Sequence, residues 1–250
     1  MQTTSKLARA ASFWFGASAL FWLSACSGAT HSSSGADGVS VSPASEARQG
    51  QTQIALSFSR ASGGLSSPSR VDLEDLVVKV EPSSTDRELR LTVSVPHGAA
   101  PGWRSLSIDT SSGVSIEANV IDVTAITVDP SGQDSQLGTT SSPFRTIRQA
   151  LSVAGSDDTC LVHDGQYDEQ SGETWGYAVP EALTIIGDSA SATTLQGPAH
   201  ASPSADSADA SAFEPSAKLA IQTLALADFD VALNATQPAQ LALQGVRIRG

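Results

Sequence analysis

Hydrophobic and polar positions alternate with period two through residues 39–124. Ile54, Leu56 and Phe58 share one face, and Leu89, Leu91, Val93 and Val95 share another. Leu106 with Ile108, then Val114 with Ile116, repeat the pattern. Turn-forming residues bound each run: Gly50, Gly63-Gly64, Pro82-Ser83-Ser84, Gly98, Pro101-Gly102 and Ser112-Gly113. Short strands at regular spacing, each with one apolar face, predict an antiparallel β-sandwich. No useful length of this stretch has helical period.

From residue 125 the pattern changes. Ile126-Thr127-Val128 reads as a strand followed by a turn. Ser142 as N-cap and Pro143 at the first helical position open a run with Phe144, Ile147, Leu151 and Ala154 at three- and four-residue spacing, which Gly155 stops. This predicts one amphipathic helix over 143–154. Further strands are expected over 157–167, at Leu183–Gly187 and Thr194–Gly197, and over 219–226 and 241–248. The last two are internal copies offset by 22 residues: Leu-Ala-Ile-Gln-Thr-Leu-Ala-Leu from Leu219 and Leu-Ala-Leu-Gln-Gly-Val-Arg-Ile from Leu241. A 22-residue period of short aliphatic strands suits one coil of a parallel β-helix, whose coils bury their inward faces only by stacking. The open first coil needs a cover, and the helix over 143–154 is placed to be that cap. Residues 198–216, rich in Ala, Ser, Asp and Pro, read as a low-complexity excursion.

The beginning of the chain reads as an address. Lys6 and Arg9 precede an uncharged run, Ala10 to Leu23, containing Phe13, Trp14, Phe15, Leu20, Phe21 and Trp22. Fourteen helical residues span about 21 Å, short of the roughly 30 Å hydrocarbon core, so the run is a signal-peptide core and not a transmembrane helix. It ends in Leu23-Ser24-Ala25-Cys26, which resembles a bacterial lipobox. That resemblance implies a signal peptide over 1–25 and an acylated Cys26 as the new N-terminus. Its two or three acyl chains would hold the protein stably in a lipid bilayer. Ser27 after the cysteine points to the outer membrane of the cell envelope rather than the inner. Residues 26–38, rich in Ser, Gly and Ala and containing a solvated His31, form a flexible tether.

Charge narrows the function classes. With 14 Lys+Arg and 26 Asp+Glu, the chain carries -12; removing Lys6 and Arg9 with the leader takes it to -14. Such a surface repels phosphate backbones, so no nucleic-acid partner is expected. Charged residues at 16% and hydrophobic residues at 40% argue for a packed core and against an acidic disordered tail. Five of the 13 aromatics fall in the first 25 residues, so the rest must pack mainly with aliphatic side chains. Two cysteines make no disulfide framework.

Two family resemblances sharpen the fold. Val41-Ser-Pro-Ala-Ser45, Gly50-Gln-Thr52, the strand Leu89–Val95 and Ala99-Ala-Pro-Gly-Trp103 are similar in order to the IPT/TIG type of immunoglobulin-like repeat. Such modules act as spacers or interaction surfaces. Asp129-Pro-Ser-Gly-Gln-Asp134, the stretch from Gly138 to Leu151, Gly155-Ser-Asp-Asp-Thr159, Val162-His-Asp-Gly-Gln-Tyr167, Leu183–Gly187 and Thr194–Gly197 resemble a family of unknown function. That family begins right-handed parallel β-helices of the pectin-lyase-like superfamily, many of which run to further coils beyond the point where this chain stops. The expected fold is therefore all-β. It comprises an immunoglobulin-like sandwich over 39–124 and the N-terminal part of a right-handed parallel β-helix over 125–250, with a capping helix.

Candidate chemistry is sparse. Some members of that superfamily are polysaccharide lyases that use acids to hold calcium and a Lys or Arg as base, so a polysaccharide lyase or hydrolase, here truncated, is the rival reading. Of three lysines only Lys218 lies in the β-helix part. Arg145 and Arg148 read as the solvated face of the helix, and Arg247 and Arg249 as outward strand residues. Asp157, Asp158, His163 and Asp164 read as turn chemistry rather than a metal site, and Cys160 as a buried inert thiol. No catalytic residue, metal site or cofactor is expected. His97 and Asp109 have no visible partner and read as surface residues, while Trp103 is a corner residue that packs or stacks on a sugar. The best binding candidate is the loop from Tyr167 to Tyr177. There Tyr167, Trp175 and Tyr177 could stack on sugar rings while Asp168 and Glu173 accept hydroxyl hydrogen bonds or, in the alternative, hold calcium; or the rings could simply pack the loop onto the coil. The expected role is a non-catalytic, structural one or the binding of surface polysaccharide or an envelope protein.

Overall fold

A computed structural model describes residues 39–42, 45–65, 67–110, 115–179, 181–198, 211–229, 231–235 and 239–249. The expected signal peptide, Cys26, the tether and most of the 198–216 excursion lie outside the described residues. Eight strands come first: β1 (Val39–Ser42), β2 (Ser45–Arg48), β3 (Ile54–Arg60), β4 (Arg70–Asp72), β5 (Val77–Val80), β6 (Glu88–Ser94), β7 (Gly102–Asp109) and β8 (Ser115–Thr124). They form two four-stranded sheets, ordered β1-β3-β6-β5 and β2-β8-β7-β4. The period-two faces turn inward together. Ile54, Leu56 and Phe58 meet Leu89, Leu91 and Val93 in one core with Leu106, Ile108, Val120 and Ile121. A bulge where β7 pairs with β8, at Arg104/Ser105, leaves Val120 opposite no residue and buries both it and Ile121.

The pairing is not wholly antiparallel, as the alternation had suggested. β2 runs parallel to β8, with Ser45 opposite Ile121 and Arg48 opposite Thr124. A four-residue strand with only Ala47 in the core carries too little pattern to announce its direction.

The second set comprises β9 (Ile126–Val128), α1 (Ile147–Val153), β10 (Asp158–Val162), β11 (Gly165–Tyr167), a 3-10 turn at Glu169–Ser171, β12 (Tyr177–Val179), β13 (Leu183–Gly187) and β14 (Thr193–Gln196). It continues with β15 (Ser211–Pro215), β16 (Leu219–Gln222), β17 (Ala225–Ala227), β18 (Val231–Leu233), β19 (Leu241–Gln244) and β20 (Arg247–Arg249). These strands make three sheets, ordered β19-β16-β13-β10-β9, β11-β14-β17-β20 and β12-β15-β18. Every pairing within them is parallel. Successive passes of the chain thus lay one strand on each sheet, an arrangement compatible with a parallel β-helix.

The 22-residue repeat is this stacking. Leu219 pairs with Leu241 and Ala225 with Arg247, both 22 positions apart. Each copy is two strands on different sheets rather than the single strand its apolar run suggested. The chain turns between them at Thr223 (φ 51) and, one repeat on, at Gly245 (φ 64). A left-handed backbone is costly for a β-branched residue, and the Thr223 hydroxyl donates a hydrogen bond to the Gly187 carbonyl one pass earlier. Stacked inward columns make the core, such as Ile126, Cys160, Ile185 and Ile221. On β19 and β20, Leu241, Leu243 and Ile248 stand 46%, 44% and 60% exposed.

The helix starts later than its sequence signals. Thr146, not Ser142, is the N-cap, and its side chain accepts from the Gln149 N–H. Phe144 is already engaged in extended pairing with Val128, exchanging backbone hydrogen bonds with Thr127 and Asp129, so the residues before it cannot be helical. Ile147 and Ala150 enter the same core as Ile126 and Val128.

The described residues belong to one compact unit, and polar side chains tie its two sets of strands together. The Asp158 carboxylate is fully buried and accepts from His97 Nδ1 at 2.6 Å, Gly98 N at 2.7 Å and Gly155 N at 2.8 Å. His97 is therefore no partnerless surface residue. Gln49 completes the junction: its Nε2 donates to the Ala99 carbonyl (2.7 Å) and its Oε1 accepts from Thr159 N (2.8 Å).

Candidate functional site

The segment from Tyr167 to Tyr177 proves to be two short strands joined by an ordered turn. Tyr167 closes β11 and is buried in a column with Leu195 and Leu226; its hydroxyl donates to the His163 carbonyl at 2.9 Å. Tyr177 opens β12 and is buried on Phe213. Burial raises both phenols far above their ordinary range. Asp168 caps the 3-10 turn, accepting from Ser171 N at 2.8 Å while the Ser171 hydroxyl donates back to the Asp168 carbonyl. Gly172, at φ 99, ends the turn and sends the chain back toward α1.

Glu173 is 2% exposed and grips the start of α1. Its carboxylate accepts from Ile147 N at 2.7 Å and Arg148 N at 3.3 Å, and from the Tyr177 hydroxyl. Asp134 takes the preceding groups, Arg145 N, Thr146 N and the Thr146 hydroxyl. Together with Thr146 these carboxylates satisfy the amides that a helix leaves open at its N-terminus. Desolvation nevertheless raises the Glu173 carboxyl above its ordinary value, outweighing the hydrogen bonds that lower it.

Trp175 stands at the outer edge of this arrangement, half-buried. It meets Phe229 edge-on at 4.7 Å and Tyr177 at 5.6 Å, and its indole N–H is buried without a partner. Between Trp175 and α1 runs a surface groove of about 270 Å³, walled by Arg148, Leu151 and Ser152 on one side and by Thr174, Trp175 and Ala178 on the other. Of the five residues singled out in the sequence, Tyr167 and Glu173 thus present no open face and Asp168 is engaged in its turn, while Trp175 borders the groove together with Tyr177, which is largely buried and donates its hydroxyl to Glu173. Ser152 was missed, and Arg148 was read only as part of the solvated face of the helix. They stand one helical turn apart, but only the non-local return of the 174–178 segment gives that face a partner.

The other polar candidates separate. Asp158 serves the junction, His163 Nδ1 lies 2.9 Å from Asp188, and Asp164 accepts from the Thr193 hydroxyl. Among the described residues no group of three His, Cys, Asp or Glu side chains is placed to hold a metal ion. Cys160 is fully buried and its thiol is pushed up to about 12, chiefly by desolvation. Trp103 is half exposed. Among the described residues no helix is long and apolar enough to cross a membrane.

This architecture has a counterpart among known families. Residues 130–249 match the family model of a protein of unknown function, DUF1565. The DUF1565 stretch takes in α1, the groove and the stacked parallel strands from β10 to β20, and the expected resemblance to a family of unknown function associated with β-helix proteins holds there. No curated protein and no solved structure matches the chain.

Proposed function

We propose that this is a lipid-anchored protein of the bacterial cell envelope whose role is non-catalytic: it presents a binding surface for surface polysaccharide or an envelope protein. The observation that carries the reading is the N-terminal sequence, in which Lys6 and Arg9, an uncharged apolar run and Leu23-Ser24-Ala25-Cys26 stand in the order a lipoprotein leader requires. Residues 1–25 are removed, Cys26 carries the acyl chains, and residues 26–38 are the tether. Ser27 favours retention in the outer membrane. Residues 39–124 act as an immunoglobulin-like spacer, and residues 125–250 form the start of a right-handed β-helix with α1 as its cap. Burial of Ile147 and Ala150 against Ile126 supports the cap. Within the aromatic segment Trp175 meets the ligand, while Tyr167, Tyr177, Asp168 and Glu173 hold it in place.

Fractionation of cells producing the wild type and Cys26→Ser tests the anchor. The wild type is expected in the membrane fraction and the variant in the soluble one; a variant retained in the membrane would count against the proposal.

A further inference from the structure

The groove beside α1 carries a chemical signature that the aromatic cluster alone does not. Its two walls supply an indole, the hydroxyls of Ser152 and Thr174, and the guanidinium of Arg148, with no carboxylate among the lining residues. The acids of this region are engaged elsewhere: Glu173 on the backbone of α1 and Asp168 on its own turn. Arg148 makes no side-chain hydrogen bond or ion pair among the described residues. Arg70, Arg90 and Arg104 each hold a carboxylate, whereas Arg148 stands exposed on the wall of a groove with its guanidinium free to take one. An exposed cation left unpaired beside an aromatic and hydroxyls is complementary to an anion that also offers a ring face and hydroxyl groups.

Resting on the proposed binding role of this site, we infer that the groove takes an acidic saccharide, a sugar whose carboxylate pairs with Arg148 and whose ring lies along Trp175. The overall charge of -12 does not forbid this. At physiological ionic strength charges separated by more than about 8 Å are largely screened, so the groove responds to the charges beside it: Arg148 on its wall, and behind that wall the buried Glu173, whose oxygens are taken up by the Ile147 and Arg148 backbone N–H groups and the Tyr177 hydroxyl. A planar guanidinium engages a carboxylate through two parallel hydrogen bonds, and the indole adds an apolar surface that a small inorganic anion cannot use.

The test is calorimetric titration of the mature protein with a glucuronate-containing hyaluronan hexasaccharide, with the same hexasaccharide carboxyl-reduced, and with oligoglutamate of equal charge. Arg148→Gln and Trp175→Phe are titrated alongside, and circular dichroism checks their folding. Arg148 is exposed and its guanidinium unpaired, so the Gln variant keeps the fold. Binding of the acidic hexasaccharide at least about tenfold tighter than the reduced form, with that preference lost in Arg148→Gln, is the expected result. Equal binding of acidic and reduced sugar, unchanged in Arg148→Gln, would overturn the acidic specificity while leaving a saccharide-binding site. Oligoglutamate bound as tightly as the sugar would show that the groove reads charge alone, and would overturn the inference too. No binding of either hexasaccharide would remove both the inference and the saccharide reading of the site.

Discussion

Replacing Asp158 by Asn changes one atom and removes one charge at the junction between the two sets of strands. The carboxylate is wholly buried and takes three donors: His97 Nδ1 at 2.6 Å, Gly98 N at 2.7 Å and Gly155 N at 2.8 Å. An amide offers a single acceptor oxygen and turns its NH2 toward one of those donors, so at least one contact becomes donor against donor. Loss of one charge-assisted hydrogen bond costs about 1.5–3 kcal/mol, and the stranded N–H adds to it, for a total of about 2–4 kcal/mol. At roughly 2–4 °C per kcal/mol for a domain of this size, the melting temperature should fall by about 4–16 °C. Since the donors belong to residues 97–98 and 155, the variant should also split a single calorimetric transition into two as the strand sets uncouple. His97→Ala should cost far less, because that side chain is 45% exposed and leaves the two backbone donors in place. An Asp158→Asn protein that melts within about 1 °C of wild type, in one transition, would refute the claim that this carboxylate holds the junction.

Gly187→Ala should destabilise by about 1–3 kcal/mol, read from chemical denaturation, because a Cβ there would sit 2.6 Å from the Thr223 carbonyl oxygen of the next pass. Unchanged stability would mean that the passes are not stacked this closely. Glu173 gives a pH signature. Its folded pKa is raised by burial, so its contribution is fully present below the ordinary 4.5 and is lost as pH rises through the folded value. Wild-type stability measured relative to Glu173→Gln should therefore decline with rising pH in that window; a flat difference would show that the carboxyl is not desolvated.

How much of this was legible in the sequence depended on how much repetition each element carried. Strands β3 and β6 bury one face only, so seven residues of alternation announced them. The 22-residue repeat was equally plain because in-register stacking puts Leu219 on Leu241 and Ile221 on Leu243. Tyr177 was misplaced into a loop, and Tyr167, the expected end of a strand, was counted into that loop as well, for the opposite reason. Each lies on a three-residue strand, too short for any periodicity, and its burial is decided by distant partners, Leu195 for one and Phe213 for the other. The pairing of His97 with Asp158 spans 61 residues and has no local correlate. At the helix, Ser142-Pro143 are good local start signals, but the pairing of Phe144 with Val128 overrides them.

The central claim, a lipid-anchored envelope protein, is tested most directly by mass spectrometry of the N-terminal peptide from protein extracted out of native membranes. The account predicts a peptide that begins at Cys26 and carries a diacylglyceryl group on its sulfur. A peptide that begins elsewhere, or begins at Cys26 with an unmodified thiol, would contradict it.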